Sequence, residues 1–456
     1  MSQSEGTQTW RAPLVFCLGL IAAAIAVVGL DASARKFALA HPIERFLLDK
    51  DTPIPLMPPR PLSAQDRAAA ETAWGYIEAN TQSDTGLVNS VNGYTATTLW
   101  DQGSYLFGLV SARRLKLIED GEYHERVSAF LNSLGQLPLF DGQLPNKAYN
   151  TVSLEMVDYA NAPSPRGIGW SAIDIGRILM ALRVLEYASP SYGPTIRGIL
   201  AKWQLEEMAS FGDMIGTEVQ SGETIARQEG RVGYEQYAAR TAALWGADVQ
   251  LAMSASGRMN WSQVDGIRVP VDVRDHRTFE AITPTLSEPY ILMALELGLN
   301  NESHVLASQV YRAQEARYRN EGELTMVSED HVSQSPYFLY ASVFGNGAEW
   351  PVLSEDGKRY DDLRTVSLKA AYAWDAMFDT QYTNMVVEEL QPLASDTLGW
   401  AAGRYERDGS TNAVYTLNTN AVVLEALHFK ALGPMWAPLL GAIDAENSVE
   451  PLNKSE

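Results

Sequence analysis

The sequence predicts an all-α fold. Three observations carry this. Apolar residues recur at helical spacing along most of the chain, strand-like alternation is scarce, and Gly, Pro, Asn and Asp gather in the connections. The helical segments fall near 96–118, 122–134, 171–187, 193–209, 233–252, 284–298, 301–318, 365–389 and 412–430. Stretches such as FDGQLPNKAYN, NAPSPRGIG and SEDGKRYDD read as turns between them. About eleven or twelve helices in one body make about six helical hairpins. Such hairpins can close into an (α/α)6 toroid, with an inner ring lining a pit and an outer ring covering it. An open α-solenoid is the alternative, but no fixed-period repeat supports it. Residues 255–283 are the place for a short β-hairpin or a lid.

In chain order, a tail (1–11) precedes residues 12–30, which are 19 residues without a charge. That is close to the ~20 a membrane-spanning helix needs. Ala32-Ser33-Ala34 also offers a cleavage site, but the span exceeds a usual signal h-region, which favours a retained transmembrane signal anchor. Arg11 before the span and Arg35 and Lys36 after it leave the positive-inside rule nearly balanced. The expectation is a single-pass inner-membrane protein with its body in the periplasm. Residues 31–62 form a linker whose proline-rich end, DTPIPLMPPRPL, predicts a stiff spacer. The body (63–436) opens at Ser63, where SAQD has the form of a capping box. A flexible acidic tail (437–456) follows.

The net charge of −21 argues against a nucleic-acid partner. The one cysteine, Cys17, sits in the apolar span, so the body forms no disulfide. Signatures of phosphate loops, zincins and hydrolase elbows are absent from the sequence. The histidines are scattered singly, Glu329-Asp330-His331 reads as an exposed polar turn rather than a metal site, and SEDGKRYDD fails EF-hand spacing. No cofactor and no metal are expected.

What remains is a set of acids beside aromatic residues: Trp100, Asp101 and Gln102; Trp170, Asp174 and Arg177; Glu229, Arg231, Tyr234 and Glu235; Glu288 and Tyr290; Trp374 and Asp375. Glycosidic cleavage needs little beyond two carboxyl groups, one protonated and one ionised. Aromatic faces stack on sugar rings, and an apolar wall raises the pKa of a nearby acid. Glu229, on a turn entering the next helix, is the expected general acid and Asp101 its partner, with Asp174, Glu235 and Glu288 in reserve. The other residues of the set are expected to bind substrate, Arg177 and Arg231 by holding hydroxyls or an acidic sugar. Each acid also has a structural alternative. Asp101 can cap its helix. Asp174–Arg177 and Glu235–Arg231 can be ion pairs along one helix face, and Glu288 can answer a helix dipole.

The motifs WDQGSYL, LPLFDGQLPNKAYNT, IGWSAIDIGR, EGRVGYEQYAA, LSEPYILMALELG, SLKAAYAWDAMF, GWAAGRYE and NTNAVVLEAL resemble the bacterial domain of unknown function 3131 over about residues 65–433. More distantly, WDQGSYLFGLVSARRL followed by SAIDIGRILMAL is similar to paired segments of the glucoamylase-like family that includes β-1,2-glucan hydrolases. That resemblance implies an (α/α)6 barrel with its cleft at one end and puts Asp101 and Asp174 on matched positions. Arg177 stands where those relatives tend to have an uncharged residue. The expected function is hydrolysis of a β-glucan or related envelope polysaccharide, inverting by analogy. The alternative is a non-catalytic polysaccharide-binding or scaffold protein of the envelope.

Overall fold

The computed structural model describes residues 52–436. The expected span at 12–30 and the tail at 437–456 lie outside the described residues. No helix among the described residues is long and apolar enough to cross a membrane.

The main helices among the described residues are α1 (Ala64–Asn80), α2 (Leu99–Arg114), α3 (Asp120–Leu134), α4 (Ala172–Ala188), α5 (Gly193–Leu200), α6 (Tyr234–Ala243), α7 (Glu288–Leu292, continued by a π-turn at Met293–Leu297), α8 (Asn301–Glu321), α9 (Leu368–Phe378), α10 (Gln381–Leu390) and α11 (Leu417–Leu432). Helices α2, α4, α6, α7, α9 and α11 pack each on the next, and α11 returns to α2, so an inner ring closes. Their residues are buried on nearly every side, as a ring enclosed by an outer layer requires. Helices α1, α3, α5, α8 and α10 pack outside that ring. The sixth outer position has no long helix among the described residues. There the chain forms a hairpin, Met259–Val264 against Ile267–Asp272, which packs on α8. The hairpin falls inside the segment expected to hold one.

The expectation of an all-α chain needs correction. Several small antiparallel sheets sit in the connections, among them Asp213–Gln220 with Glu223–Gln228, Glu329–His331 with Phe338–Ala341, and Thr365–Ser367 with Gly399–Tyr405. Helix ends differ for the same reason. Thr411–Tyr415, expected to be helical, buries Asn412 between exposed Thr411 and Ala413 and pairs as a strand. The expected helix 365–389 is two helices. Asp379 takes a left-handed conformation and Thr380 caps α10 with a reciprocal hydrogen-bonded box.

Ser63 and Asp66 form the expected capping box at α1. The proline-rich segment before it is no spacer, because its backbone is hydrogen-bonded onto the body: Ile54 N to Ser308 Oγ (2.9 Å), Met57 N to the Met377 carbonyl (2.8 Å) and Arg60 N to the Lys430 carbonyl (2.7 Å). The compact unit accordingly begins at Pro53.

Candidate active site at the N-terminal end of the inner ring

The inner helices point the same way, and their first turns meet. Trp100 of α2 lies 5.9 Å from Tyr234 of α6, ring to ring. Glu288 of α7 is bridged by Lys369 of α9 at 2.8 Å and accepts from Asn418 Nδ2 of α11 at 2.9 Å. Helix N-termini present unpaired N–H groups and a partial positive charge, so carboxylates gathered there are favoured.

Asp101, Asp174 and Glu229 come together at this end. Thr98 caps α2 through its side chain, which settles the capping alternative for Asp101. That residue is at the third helical position, and its carboxylate accepts from Ser90 Oγ (2.5 Å) and Thr98 Oγ1 (2.9 Å). Ser171 caps α4, placing Asp174 in the same position there. Glu229 follows the strand Glu223–Gln228, and its carboxylate reaches back to the start of α4. It accepts from Ser171 Oγ (2.7 Å) and from the Ala172 N–H (2.6 Å). Gly216 makes room for it, since a Cβ there would lie 2.3 Å from Glu229 Oε2.

Asp174 and Glu229 are half-buried. Burial raises the Asp174 carboxyl to about 7, and the charges of Glu229 and then Asp101 add to the rise, while Ser171 and Lys147 oppose it. Burial also raises Glu229, but Ser171, Lys147 and backbone donors of α4 pull it back. The result is a set of neighbouring carboxyl groups from which Asp174 gives up its proton near neutrality. A protonated and an ionised carboxyl side by side can serve general acid–base chemistry.

Residues that sequence reasoning missed surround this set. Glu329, Asp330 and His331 form a strand, not an exposed turn, and both acids are buried. Glu329 accepts from the Tyr234 hydroxyl, and burial followed by the Glu288 charge pushes its carboxyl up. Burial holds Asp330 up to about 7, against the pull of the Lys369 charge and the Ser367 hydroxyl. Burial pushes the His331 imidazole down. Lys369 is buried with Glu288, and Asp330 and Glu329 add to the charges around it. A lysine in SLKAAYAWDAMF at the start of a buried helix was the one signal in the sequence for this second group.

Several expected binding residues lie elsewhere. Arg177 is fully buried one turn below the site and pairs with Glu425 (3.1 Å) and Glu296 (3.4 Å), not with Asp174. Its guanidinium faces the Trp100 ring at 4.6 Å. It is therefore inaccessible to hydroxyls or an acidic sugar. Glu235 is fully buried and pairs with Arg258 and Arg274 rather than Arg231. Arg231 instead donates to Gln228 Oε1 (2.8 Å). Gln102 is buried and donates to the Val88 carbonyl. Trp374 and Tyr290 are fully buried, the Trp374 indole donating to Ser287 Oγ at 2.9 Å. Asp375 lies in the last turns of α9, the far end from the acids, where it accepts from Thr383 and faces Lys430. Trp170 is buried, its indole donating to the Ile215 carbonyl, so it shapes the wall rather than offering a face. Burial explains these departures, because a helix enclosed on every side carries no mark in its sequence of which residues reach the acids.

Among the described residues no group of three or more His, Cys, Asp or Glu is placed to hold a metal. A groove of about 490 Å³ lined by Val110, Arg113, Arg114 and Tyr123 lies at the opposite end of α2, remote from the acids.

Comparison with solved structures supports the architecture. An endo-β-1,2-glucanase from Chitinophaga pinensis aligns with a TM-score of 0.62 at 10% identity, covering 82% of this chain and 94% of that one. A glucoamylase-like protein from Bacteroides caccae aligns with a TM-score of 0.59 at 12% identity, covering 84% and 96%. An endo-β-1,2-glucanase from Talaromyces funiculosus aligns with a TM-score of 0.54 at 13% identity, covering 84% and 87%. At these identities the likeness speaks for the fold, that of glucoamylase-like (α/α)6 barrels. No curated protein matches the chain. Residues 68–433 match the family model described as Protein of unknown function (DUF3131), and the chain belongs to that family.

Proposed function

We propose that this protein is a glycoside hydrolase acting on a β-glucan or related envelope polysaccharide. One observation carries the reading. Asp101, Asp174 and Glu229 meet at the N-terminal end of the inner ring, with Asp174 raised to about 7. In this reading Asp174 gives the leaving oxygen its proton. The acid role moves from Glu229 because two donors from the α4 cap fix the Glu229 carboxylate. Burial and then the Glu229 charge keep Asp174 protonated, and Asp101 activates water across the sugar in an inverting displacement. The coarse likeness to endo-β-1,2-glucanases makes β-1,2-glucan the first substrate to test.

A purely binding protein would have its pit carboxylates tied to arginines. Here Arg177 is spent on Glu296 and Glu425, Arg404 on Glu389 and Arg231 on Gln228. None of the three reaches Asp101, Asp174 or Glu229, which favours the hydrolytic reading.

The test is incubation of the full chain with β-1,2-glucan and a panel of other β-glucans, following reducing ends. The expected result is oligosaccharide release that Asp174→Asn cuts by about 10² to 10⁴-fold. Full activity in Asp174→Asn overturns the acid assignment, and no release from any glycan overturns the reading. Anomeric NMR of the first product gives inversion if Asp101 activates water, and retention contradicts it. We further propose that residues 12–30 anchor the chain in an inner membrane with its body in the periplasm. A C-terminal alkaline phosphatase fusion is then active in cells, and an inactive fusion contradicts it.

A further inference from the structure

The groove of about 490 Å³ at the C-terminal end of α2 plays no part in the chemistry at the other end of the ring. Its floor is apolar, with Val110, Ile118 and the Tyr123 ring buried, and its wall is cationic, from Arg113, Arg114 and Lys116. Arg113 is already committed. Its Nε pairs with Asp120 at 2.7 Å, its Nη1 donates to Ser189 Oγ at 3.0 Å, and its guanidinium lies 4.5 Å from the centre of the Tyr123 ring. Arg114 is held only by neutral groups. Its Nη1 donates to His428 Nε2 and to the Met435 carbonyl, both at 3.2 Å, and burial pushes the His428 imidazole down to about 3. Among the described residues no carboxylate pairs with Arg114. Its Nε and Nη2 have no partner there and are not sealed from solvent, which leaves one two-pronged edge of the guanidinium open.

A cation in the last turn of a helix answers the carbonyls at that end, and Arg113 and Arg114 both stand in the last turn of α2. That accounts for charge at this place, but not for an open edge above an apolar floor. A half-buried guanidinium among neutral partners has lost hydration without gaining a counter-charge. Lys116, exposed on the rim, also pairs with no carboxylate among the described residues, and Glu119 alone opposes the two cations. The uncommitted side chains of the groove are therefore net positive, in a chain whose net charge is −21.

We propose that this groove binds a phosphate group, whose oxygens take the open edge of Arg114 with Lys116 at the rim. A guanidinium fork matches phosphate oxygens in pairs, and the apolar floor suits whatever carbon chain the phosphate carries. A phospholipid headgroup and free phosphate share that chemistry. The floor favours the headgroup. So does the path of the chain, since the proline-rich segment is bonded to the last turns of α9 and α11, at the end of the ring that holds the groove. That source rests on the membrane anchor proposed for residues 12–30, whereas the phosphate site needs neither the anchor nor the hydrolytic reading.

The experiment titrates the full chain in neutral detergent with inorganic phosphate, with dihexanoylphosphatidylglycerol below its micelle concentration, and with acetate, following heat and melting temperature. The expected result is saturable binding of both phosphate compounds, tighter for the lipid, with acetate not binding at the same concentrations. Arg114→Gln should weaken binding by about tenfold or more and Lys116→Glu by about threefold or more. Lys116 is exposed, so its exchange spares the fold even if Arg114→Gln does not. Equal affinity for phosphate and lipid upholds the site and assigns it to free phosphate. Acetate binding as tightly as phosphate overturns the phosphate assignment. Failure of both phosphate compounds to bind overturns the site. So does a lower melting temperature in Arg114→Gln with affinity unchanged, the mark of a cation that only answers its helix end. Glucan cleavage plays no part in the titration, so either reading can fall alone.

Discussion

Two carboxyl clusters lie one above the other along the inner ring, and they are built on opposite rules. The lower one, Arg177 with Glu296 and Glu425, is fully buried. One guanidinium faces two acids there, burial and then the Glu296 charge push the Glu425 carboxyl up so that it keeps its proton, and the Tyr237 hydroxyl donates to Glu296 at 2.5 Å. The upper one, Asp101, Asp174 and Glu229, is open to solvent in part, and hydroxyls and backbone N–H groups hold it with no guanidinium. A buried cation paired to acids closes a barrel and fixes how its helices sit. Unpaired neighbouring acids do the reverse, since each ionisation costs the others, and a proton stays where it can be transferred. The lower cluster is thus structural and the upper one chemical, although both are carboxyl groups of one helical ring.

The sharpest way to break this contrast is at Arg177. Removing it strands Glu296 and Glu425 in the interior, so Arg177→Ala should lose about 3–5 kcal/mol of stability, read as a fall in the denaturation midpoint. A change below about 1 kcal/mol would mean that the lower cluster is not what holds the ring. Gly216→Ala tests the upper cluster through packing. Its new methyl would push the Glu229 carboxylate off Ser171 and Ala172, costing about 1–3 kcal/mol. The same variant should shift the upper limb of the pH–rate profile downward, because Glu229 would no longer hold Asp174 protonated. An unshifted limb would remove Glu229 from the account. Asp375→Asn should do least. Asp375 belongs to the outer packing with Thr383 and Lys430, so stability should fall by about 1 kcal/mol or less with kcat/KM unaltered. A large loss of activity would return Asp375 to the site.

How much of this was legible in the sequence follows from the same contrast. The helical period places most inner and outer helices, because an enclosed ring demands long apolar segments, and residues 255–283 do carry a hairpin. The strands were not legible. Most are two to six residues long and lie in Gly- and Asp-rich connections, where alternation has no room to show. Acids at N-terminal positions were legible as a set, since Thr98 and Ser171 mark the starts of α2 and α4 and put Asp101 and Asp174 one turn in. Their depth was not. Arg177 sits three residues after Asp174 yet turns inward to helices more than a hundred residues away in sequence. Glu329 and Asp330 looked like a solvated turn because three polar residues in a row give no sign of burial.

The measurement that tests the central claim most directly needs no substrate. In the folded chain Asp174 holds its proton up to about 7, against 3.8 for a free carboxyl, so the folded state binds more protons between those values and loses stability as pH rises through that window. Asp174→Asn removes that penalty. The difference in unfolding free energy between Asp174→Asn and the unsubstituted chain, followed from pH 4 to pH 8, should therefore grow in favour of the variant by about 1–3 kcal/mol and level off above pH 7. A difference that stays flat across the range, or that turns against the variant as pH rises, would contradict the proton on Asp174 and the chemistry built on it.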